Sequence, residues 1–241
     1  MENKNLTGVL LAAGMGMRLG GKTTKALVEI EGRPLCHYAF DFLRAVGANN
    51  LIVIGGFCFE DLKKKAEEYS KDILILENKD YKKGNLFTLE KALPHISNSF
   101  LLCNTDHIYR RAIADKVRAQ LQDVKAFCDF DRPLGDDDMK VWHNDYKLAH
   151  ISKKLTDFNG GYVGLTYCDS QKLDNYKEMV NQLLSEGEDN VVAEDVLRHL
   201  VANGHDVHIG DISGYGWLEV DFPEELERAK QVVKENRHEF F

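Results

Sequence analysis

Between residues 11 and 25 the chain sets four glycines and three cationic side chains among small and apolar residues. The run is Leu11-Ala12-Ala13-Gly14-Met15-Gly16-Met17-Arg18-Leu19-Gly20-Gly21-Lys22-Thr23-Thr24-Lys25. Glycines let backbone amides approach phosphate oxygens, because no Cβ intervenes. Ala12 and Ala13 leave room for a base or a sugar. Arg18 and Lys25 can neutralise a triphosphate. The plainer alternative is a tight strand-to-helix turn that carries surface charge. The density of glycines and cations favours phosphate binding over that turn.

The same loop contains a literal P-loop match, Gly16-x-x-x-x-Gly21-Lys22-Thr23. A working P-loop needs a helix to begin at the Lys-Thr pair, so that its amides and dipole face the phosphates. Here Ala26-Leu27-Val28-Glu29-Ile30-Glu31-Gly32-Arg33-Pro34 follows. β-Branched residues and a Gly-x-Pro within ten positions predict a short strand or turn instead. The match is therefore rejected.

The loop follows directly on an expected strand. Leu6–Ala12 is an apolar run that reads as a buried strand. After Pro34, Leu35, Ala39, Phe42, Leu43 and Val46 recur at helical spacing, with Gly47 as a stop. Residues 51–54 and 73–76 read as strands, 61–69 and 85–93 as helices, and 100–103 as a fourth strand ending at Asn104-Thr105-Asp106. Short apolar strands joined by helical crossovers demand a parallel sheet covered on both faces. Ligands bind such sheets at the carboxyl ends of the strands. The glycine loop and Asp106 both lie at such ends.

Beyond residue 120 the pattern becomes mixed or antiparallel. Residues 124–130, 139–143, 147–151 and 162–167 read as strands separated by turns, a β-rich portion suited to hold an acceptor. Helices are expected at 172–185 and 193–202, strands at 205–209 and 217–220, and a last helix at 223–235, where Pro223 suits a helix start. No repeat or linker interrupts the chain. The expectation is an α/β protein: a Rossmann-like, mixed but mostly parallel sheet with helices on both faces. It forms one domain over residues 1–241, with a nucleotide-binding part at 1–120 and an acceptor-side β insertion at about 124–167.

Composition narrows the partners. A formal charge of -8 argues against a nucleic acid held through phosphate neutralisation. No run of about 18 apolar residues predicts a membrane span. Met1–Leu6 carries no apolar signal region, so no secretory leader is expected. Cys36, Cys58, Cys103, Cys128 and Cys168 are odd in number and widely spaced, with no Cys-x-x-Cys pair. Neither a disulfide framework nor a zinc cluster follows, and a reducing cytoplasm is the expected setting.

Three motifs in order carry a resemblance. Leu11-Ala-Ala-Gly-Met-Gly-Met-Arg-Leu19, then Lys25-Ala-Leu27, then Gly32-Arg-Pro-Leu35 resemble the opening of the nucleotidyltransferases that activate sugar phosphates and phospho-alcohols. Thr24 stands where that family usually has proline. The resemblance implies the nucleotide-diphospho-sugar transferase fold. It also implies a reaction in which a phosphorylated acceptor attacks the α-phosphorus of a nucleoside triphosphate and pyrophosphate leaves. Such chemistry rests on positioning and charge neutralisation.

By the same resemblance, Arg18 and Lys25 are the catalytic cations. Asp106, Glu219 and Asp221 hold Mg²⁺. Alternation along Trp217-Leu-Glu-Val-Asp221 puts Glu219 and Asp221 on one side of a strand. Each has a plainer role open to it: Asp106 and Asp221 as helix caps, Glu219 as an exposed edge residue.

Asp106-His107-Ile108-Tyr109 and Lys83-Gly84-Asn85-Leu86 look like segments of the inositol-1-phosphate cytidylyltransferases, which implies CTP as the nucleotide. The implied nucleotide-binding set is Leu11, Ala12, Ala13, Gly14, Met15, Gly16, Gly84, Asn85 and Thr105. Asn85 can donate and accept, which suits a pyrimidine edge, or it can cap the helix that starts there. His107, Lys140 and Gly161 are the expected acceptor-binding residues. Phosphocholine cytidylyltransferases share the framework. A choline acceptor would want an aromatic cage, for which Trp142, Tyr146 and Tyr162 are candidates, although packing is their commoner use.

Overall fold

The computed structural model describes residues 5–21 and 23–241. Met1–Lys4 and Lys22, which includes the lysine of the literal P-loop match, lie outside the described residues.

Strand β1 (Leu6–Ala12) is buried on both faces, as its apolar run requires. Its alternation sorts the two halves of the core. Val9 and Leu11 join one apolar cluster, Leu10 and Ala12 the other. A two-residue hairpin follows, β2 (Glu29–Ile30) and β3 (Arg33–Pro34), and then α1 (Leu35–Val46), which ends on Gly47 at φ 114°. The stretch after the glycine loop is thus a hairpin, and the rejection of the P-loop stands on that. Next come β4 (Asn50–Gly55), α2 (Phe59–Tyr69), β5 (Leu74–Glu77), α3 (Leu86–Ala92), β6 (Ser99–Asn104), β7 (His107–Tyr109) and α4 (Arg111–Arg118). β7 was not foreseen as a strand.

The remainder comprises β8 (Val124–Asp129), β9 (Lys140–Asn144), β10 (Lys147–Ser152), β11 (Gly160–Cys168), α5 (Leu173–Ser185), α6 (Ala193–Ala202), β12 (His208–Asp211), β13 (Trp217–Glu219) and α7 (Pro223–Glu235). The main sheet has nine strands in the order β5-β4-β1-β6-β11-β8-β12-β10-β9. β5, β4, β1 and β6 run parallel, and β11 lies antiparallel between β6 and β8. β9 also pairs with β11, so that end of the sheet curls back on itself. The expected insertion therefore needs narrowing. β8 and β11 run inside the main sheet, the β9–β10 hairpin closes its far end, and only the 130–139 loop carries no strand.

Helices α1, α2 and α4 cover one face, through residues such as Phe42, Leu62 and Ile113. α3, α5 and α6 cover the other, through Leu89, Tyr176 and Val196. A third cluster joins α7 to the β2–β3 hairpin and to the small β7–β13 ribbon, through Ile30, Ile108, Leu218 and Val233. That ribbon matters for function. It fixes the residues on either side of it, Asp106 before β7 and Asp221 after β13, next to the ends of β1 and β6.

Candidate active site

The glycine loop leaves β1 at Ala13 and returns at Lys25. Thr24 is fully buried, and its hydroxyl lies 3.0 Å from the Gly14 carbonyl and 3.2 Å from that of Ala12. The position that departs from the family pattern therefore ties the loop to its own base. Thr24 sits at φ −64°, the backbone value a proline ring would impose.

Lys25 next to it points between two carboxylates. Its Nζ donates to Asp106 Oδ2 at 3.0 Å and to Asp221 Oδ1. Burial opposes the ammonium charge, but Asp106 and Asp221 outweigh it and raise Lys25 above its ordinary range. Burial likewise opposes ionisation of Asp106. Lys25 and then His107 overcome that and hold its carboxyl well below the usual range. His107 Nδ1 lies 2.5 Å from Asp106 Oδ1. Burial alone would lower the imidazole, and Asp106 raises it instead. The ring stacks on Trp217 at 4.8 Å between centroids. It also packs against Gly164, where a Cβ would come within 3.0 Å of Cε1 and where φ is +72°.

Neither aspartate is a helix cap. Asp106 precedes β7, and its backbone carbonyl accepts from Val220 N at 2.9 Å. The start of α7 is closed by Glu225, whose carboxylate accepts from the Asp221 and Phe222 amides at 2.7 and 3.1 Å. Asp221 is thereby left to Lys25 and to Arg18, whose Nη1 is 3.2 Å away. Arg18 is half-exposed, lies over the Phe222 ring at 4.8 Å and also pairs with Asp137 at 3.5 Å.

Glu219 is a different case. It faces Arg132, with Nη2 to Oε2 at 3.1 Å, and burial pushes its carboxyl up against the opposing charge of His107. Among the described residues no three His, Cys, Asp or Glu side chains gather as a metal set. Glu219 lines one cleft with Asp106 and Asp221, but its carboxylate is engaged by Arg132, whereas the two aspartates converge on Lys25. Asp106 and Asp221 do fit a hard divalent ion: they are oxygen donors that already converge on one cation, the Lys25 ammonium.

Two clefts meet at Asp106. One, of about 260 Å³, is lined by Leu11, Ala13, Gly14, Lys25, Asn85, Thr105 and Asp106, all foreseen, and by Tyr81, Lys83, Thr88 and Asn104, which were not. Ala12 is buried in the opposite cluster, and Met15, Gly16 and Gly84 are not among its lining residues. Thr105 Oγ1 is buried with no partner among the described residues. Asn85 is not a cap. Its Oδ1 accepts from the Ala193 amide at 2.7 Å and so joins the start of α3 to the start of α6. Gly84 is pressed against the same segment: a Cβ there would lie 1.7 Å from the Val191 carbonyl oxygen.

The second cleft, of about 180 Å³, shares Asn85, Asn104 and Asp106 and continues to His107, Lys153, Tyr162, Gly164 and Glu194. Two expected acceptor residues are corrected here. Lys140 is buried, and its ammonium is spent on the Gly135 and Lys153 carbonyls at 2.7 and 3.1 Å. Gly161 pairs with Lys140 across β9 and packs on Leu134. Both are pinned in the β9–β11 strand junction and are not among the cleft's lining residues. Trp142 and Tyr146 stand out on the β9–β10 hairpin, partly exposed, so only Tyr162 of the three aromatics reaches the cleft.

Residues 8–150 match the family described as the MobA-like NTP transferase domain. The chain belongs to that family. Among curated proteins, the chain is 28% identical over 236 residues to a bifunctional IPC transferase and DIPP synthase of Aquifex aeolicus, covering 94% of this chain and 51% of that one. The chain spans about half the length of such bifunctional relatives. It is 24% identical over 237 residues to a choline-phosphate cytidylyltransferase of Streptococcus pneumoniae, covering 94% and 97% of the two chains. The inositol-1-phosphate CTP transferase of T. maritima superposes with a TM-score of 0.80 at 20% identity, over 95% of this chain and 96% of that one. The fold is thus the nucleotide-diphospho-sugar transferase fold implied by the motifs.

Proposed function

We propose that this NTP transferase is a Mg²⁺-dependent cytidylyltransferase. It moves CMP from CTP to a phosphorylated alcohol and releases pyrophosphate. The observation that carries the reading is the meeting of two clefts on Asp106, with Lys25 held between Asp106 and Asp221. The nucleotide cleft supplies small residues, the Gly14 backbone and Asn85. With its carbonyl engaged by Ala193, Asn85 offers its amide N–H to an acceptor such as a pyrimidine carbonyl. The relatives named for inositol-1-phosphate and choline-phosphate chemistry support CTP in particular.

An acceptor phosphate oxygen attacks the α-phosphorus. The bond from that phosphorus to the oxygen bridging to the β-phosphorus breaks, and pyrophosphate leaves with the electron pair. Asp106 and Asp221 would hold Mg²⁺, which supplies charge neutralisation at the reacting phosphates. Lys25, whose charge the site enforces, neutralises phosphate oxygens when the triphosphate draws it from the aspartates. Arg18, exposed and loosely paired, is free to turn to the β- and γ-phosphates. Lys153 is the cation of the acceptor cleft and meets the acceptor phosphate there. Glu219 braces Arg132 beside Trp217, whose ring Arg132 covers at 4.4 Å. Residues 5–241 act as one catalytic unit on this account, since the sheet runs unbroken from β5 to β9.

The test is a matrix of the four nucleoside triphosphates against phospho-alcohols and sugar 1-phosphates, read by pyrophosphate release. CTP with a phospho-alcohol should dominate, and Asp106→Ala and Asp221→Ala should lose nearly all turnover. Preference for UTP, dTTP or GTP with a sugar phosphate would refute the assignment. Release of orthophosphate instead would refute nucleotidyl transfer altogether.

A further inference from the structure

Glu194 is a buried carboxylate that the mechanism above does not use. It is only 8% exposed, and it lines the acceptor cleft together with His107 and Lys153. It sits in the first turn of α6, where an acidic residue ordinarily serves the helix terminus. That work is done by its neighbour. Asp195 Oδ2 accepts from the Val192 amide at 2.8 Å, and Asp195 also pairs with Arg198. The Glu194 side chain lies near that of Asn104 and within the field of Lys153, yet it forms no salt bridge among the described residues. Burial pushes its carboxyl up. A buried carboxylate without a contacting cation is costly to keep, and such groups concentrate where a ligand completes them.

Its placement is also braced from the nucleotide side. Val191 O accepts from Leu86 N at 3.3 Å, and Asn85 Oδ1 holds the Ala193 amide. The segment that presents Glu194 is therefore fastened to the loop that borders the nucleotide cleft. Around it the cleft is mostly polar, and its two larger aromatic rings, Tyr162 and Trp217, already have partners. The Tyr162 and Thr166 hydroxyls share a hydrogen bond at 2.8 Å, and Trp217 is engaged by His107 and Arg132.

We propose that Glu194 reads the acceptor: its carboxylate accepts hydrogen bonds from O–H or N–H groups at the end of the acceptor remote from the phosphate. The chain then selects phospho-alcohols bearing hydroxyls or a primary ammonium over those ending in a quaternary ammonium, which has no proton to donate. This inference rests on the transfer reaction proposed above.

The experiment compares inositol 1-phosphate, phosphoethanolamine and phosphocholine as acceptors with saturating CTP and Mg²⁺. Wild type, Glu194→Gln and Glu194→Ala are measured for kcat and KM, and acceptor binding is followed by calorimetry. Thermal unfolding and the KM for CTP report on folding, and Glu194→Gln keeps the shape if the alanine variant fails to fold. Wild type should favour a donor-bearing acceptor over phosphocholine by at least ~10-fold in kcat/KM. Glu194→Ala should raise the KM for that acceptor by ~10- to 100-fold, the range for a lost hydrogen bond to a charged group, with the CTP KM unchanged. The rate of inositol 1-phosphate against phosphoethanolamine shows which donor the cleft takes. An unchanged acceptor KM in a folded Glu194 variant overturns the proposal, as does a wild-type preference for phosphocholine. If no pair of substrates releases pyrophosphate, the transfer reading falls by itself. Calorimetry then still decides Glu194, because equal acceptor affinity in wild type and variant, or no acceptor binding at all, overturns its role.

Discussion

Replacing Gly84 by alanine tests how the two clefts are joined. A Cβ at residue 84 would lie 1.7 Å from Val191 O, 2.5 Å from its carbonyl carbon and 2.6 Å from its amide nitrogen. Close carbon-to-oxygen contacts in proteins run to roughly 3.3 Å. One backbone must therefore retreat by about 1.5 Å, and no flexible side chain is present to yield instead. That movement breaks Leu86 N to Val191 O and strains Asn85 Oδ1 to the Ala193 amide. At about 0.5–1.5 kcal/mol each, the loss is about 1–3 kcal/mol. For a chain of this size that lowers Tm by roughly 2–12 °C. The catalytic effect should exceed the stability effect. Asn85 faces the nucleotide and Glu194 the acceptor, so both KM values should rise together, and a shift of this size at a reacting site lowers kcat/KM by about 100-fold. Steady-state kinetics with each substrate varied, alongside a melting curve, reads both. A Gly84→Ala protein with wild-type Tm and both KM values intact would show that the clefts are not coupled through this contact.

Three further outcomes follow from the site. Lys25→Met should abolish turnover and destabilise the protein by about 3–5 kcal/mol near neutral pH, because two carboxylates lose their shared cation. Asp106 is held below its ordinary range in the wild type, so its stabilisation is present above about pH 4 and fades as pH falls further. The gap between variant and wild type in denaturant melts should therefore narrow in acid, and a constant gap would contradict the ion-pair account. Glu194→Gln should raise the Tm of the ligand-free protein at pH 7–8. The folded Glu194 has a raised pKa, so its ionisation weakens the fold as pH rises through that value, and the advantage of glutamine should vanish in acid. Lys140→Met should lower stability by about 1–3 kcal/mol by stripping the donor from the Gly135 and Lys153 carbonyls. A variant that melts like wild type would show that Lys140 is not a structural pin.

What the sequence disclosed depended on how local the cause was. Helices α6 and α7 fall at the expected residues because apolar spacing and Pro223 act within a few positions. Lys25 and Asp106 were legible because loop chemistry and strand ends are local signals. β7 has only three residues and exists through its pairing with β13, so no periodicity announces it. Placing β8 and β11 inside the main sheet required the strand order, which is long-range. Glu219 carries the right chemistry, yet its direction is set by Arg132, 87 positions earlier. Lys140 and Lys153 are alike as letters, and only the fold spends one on backbone carbonyls and leaves the other in the cleft. Glu194 reads in sequence as an ordinary acidic residue opening a helix, a role that Asp195 in fact fills.

Thr24 has a consequence for how the phosphate loop works. A pyrrolidine ring at this position would fix the backbone covalently and permanently. A hydroxyl holding the Gly14 and Ala12 carbonyls fixes it reversibly, as a latch does. Such a hydrogen bond contributes about 1 kcal/mol to holding the base of the loop, beside the larger hold of Lys25 on its two aspartates. In this chain one side-chain oxygen helps set both the shape of the loop at rest and the ease with which it yields.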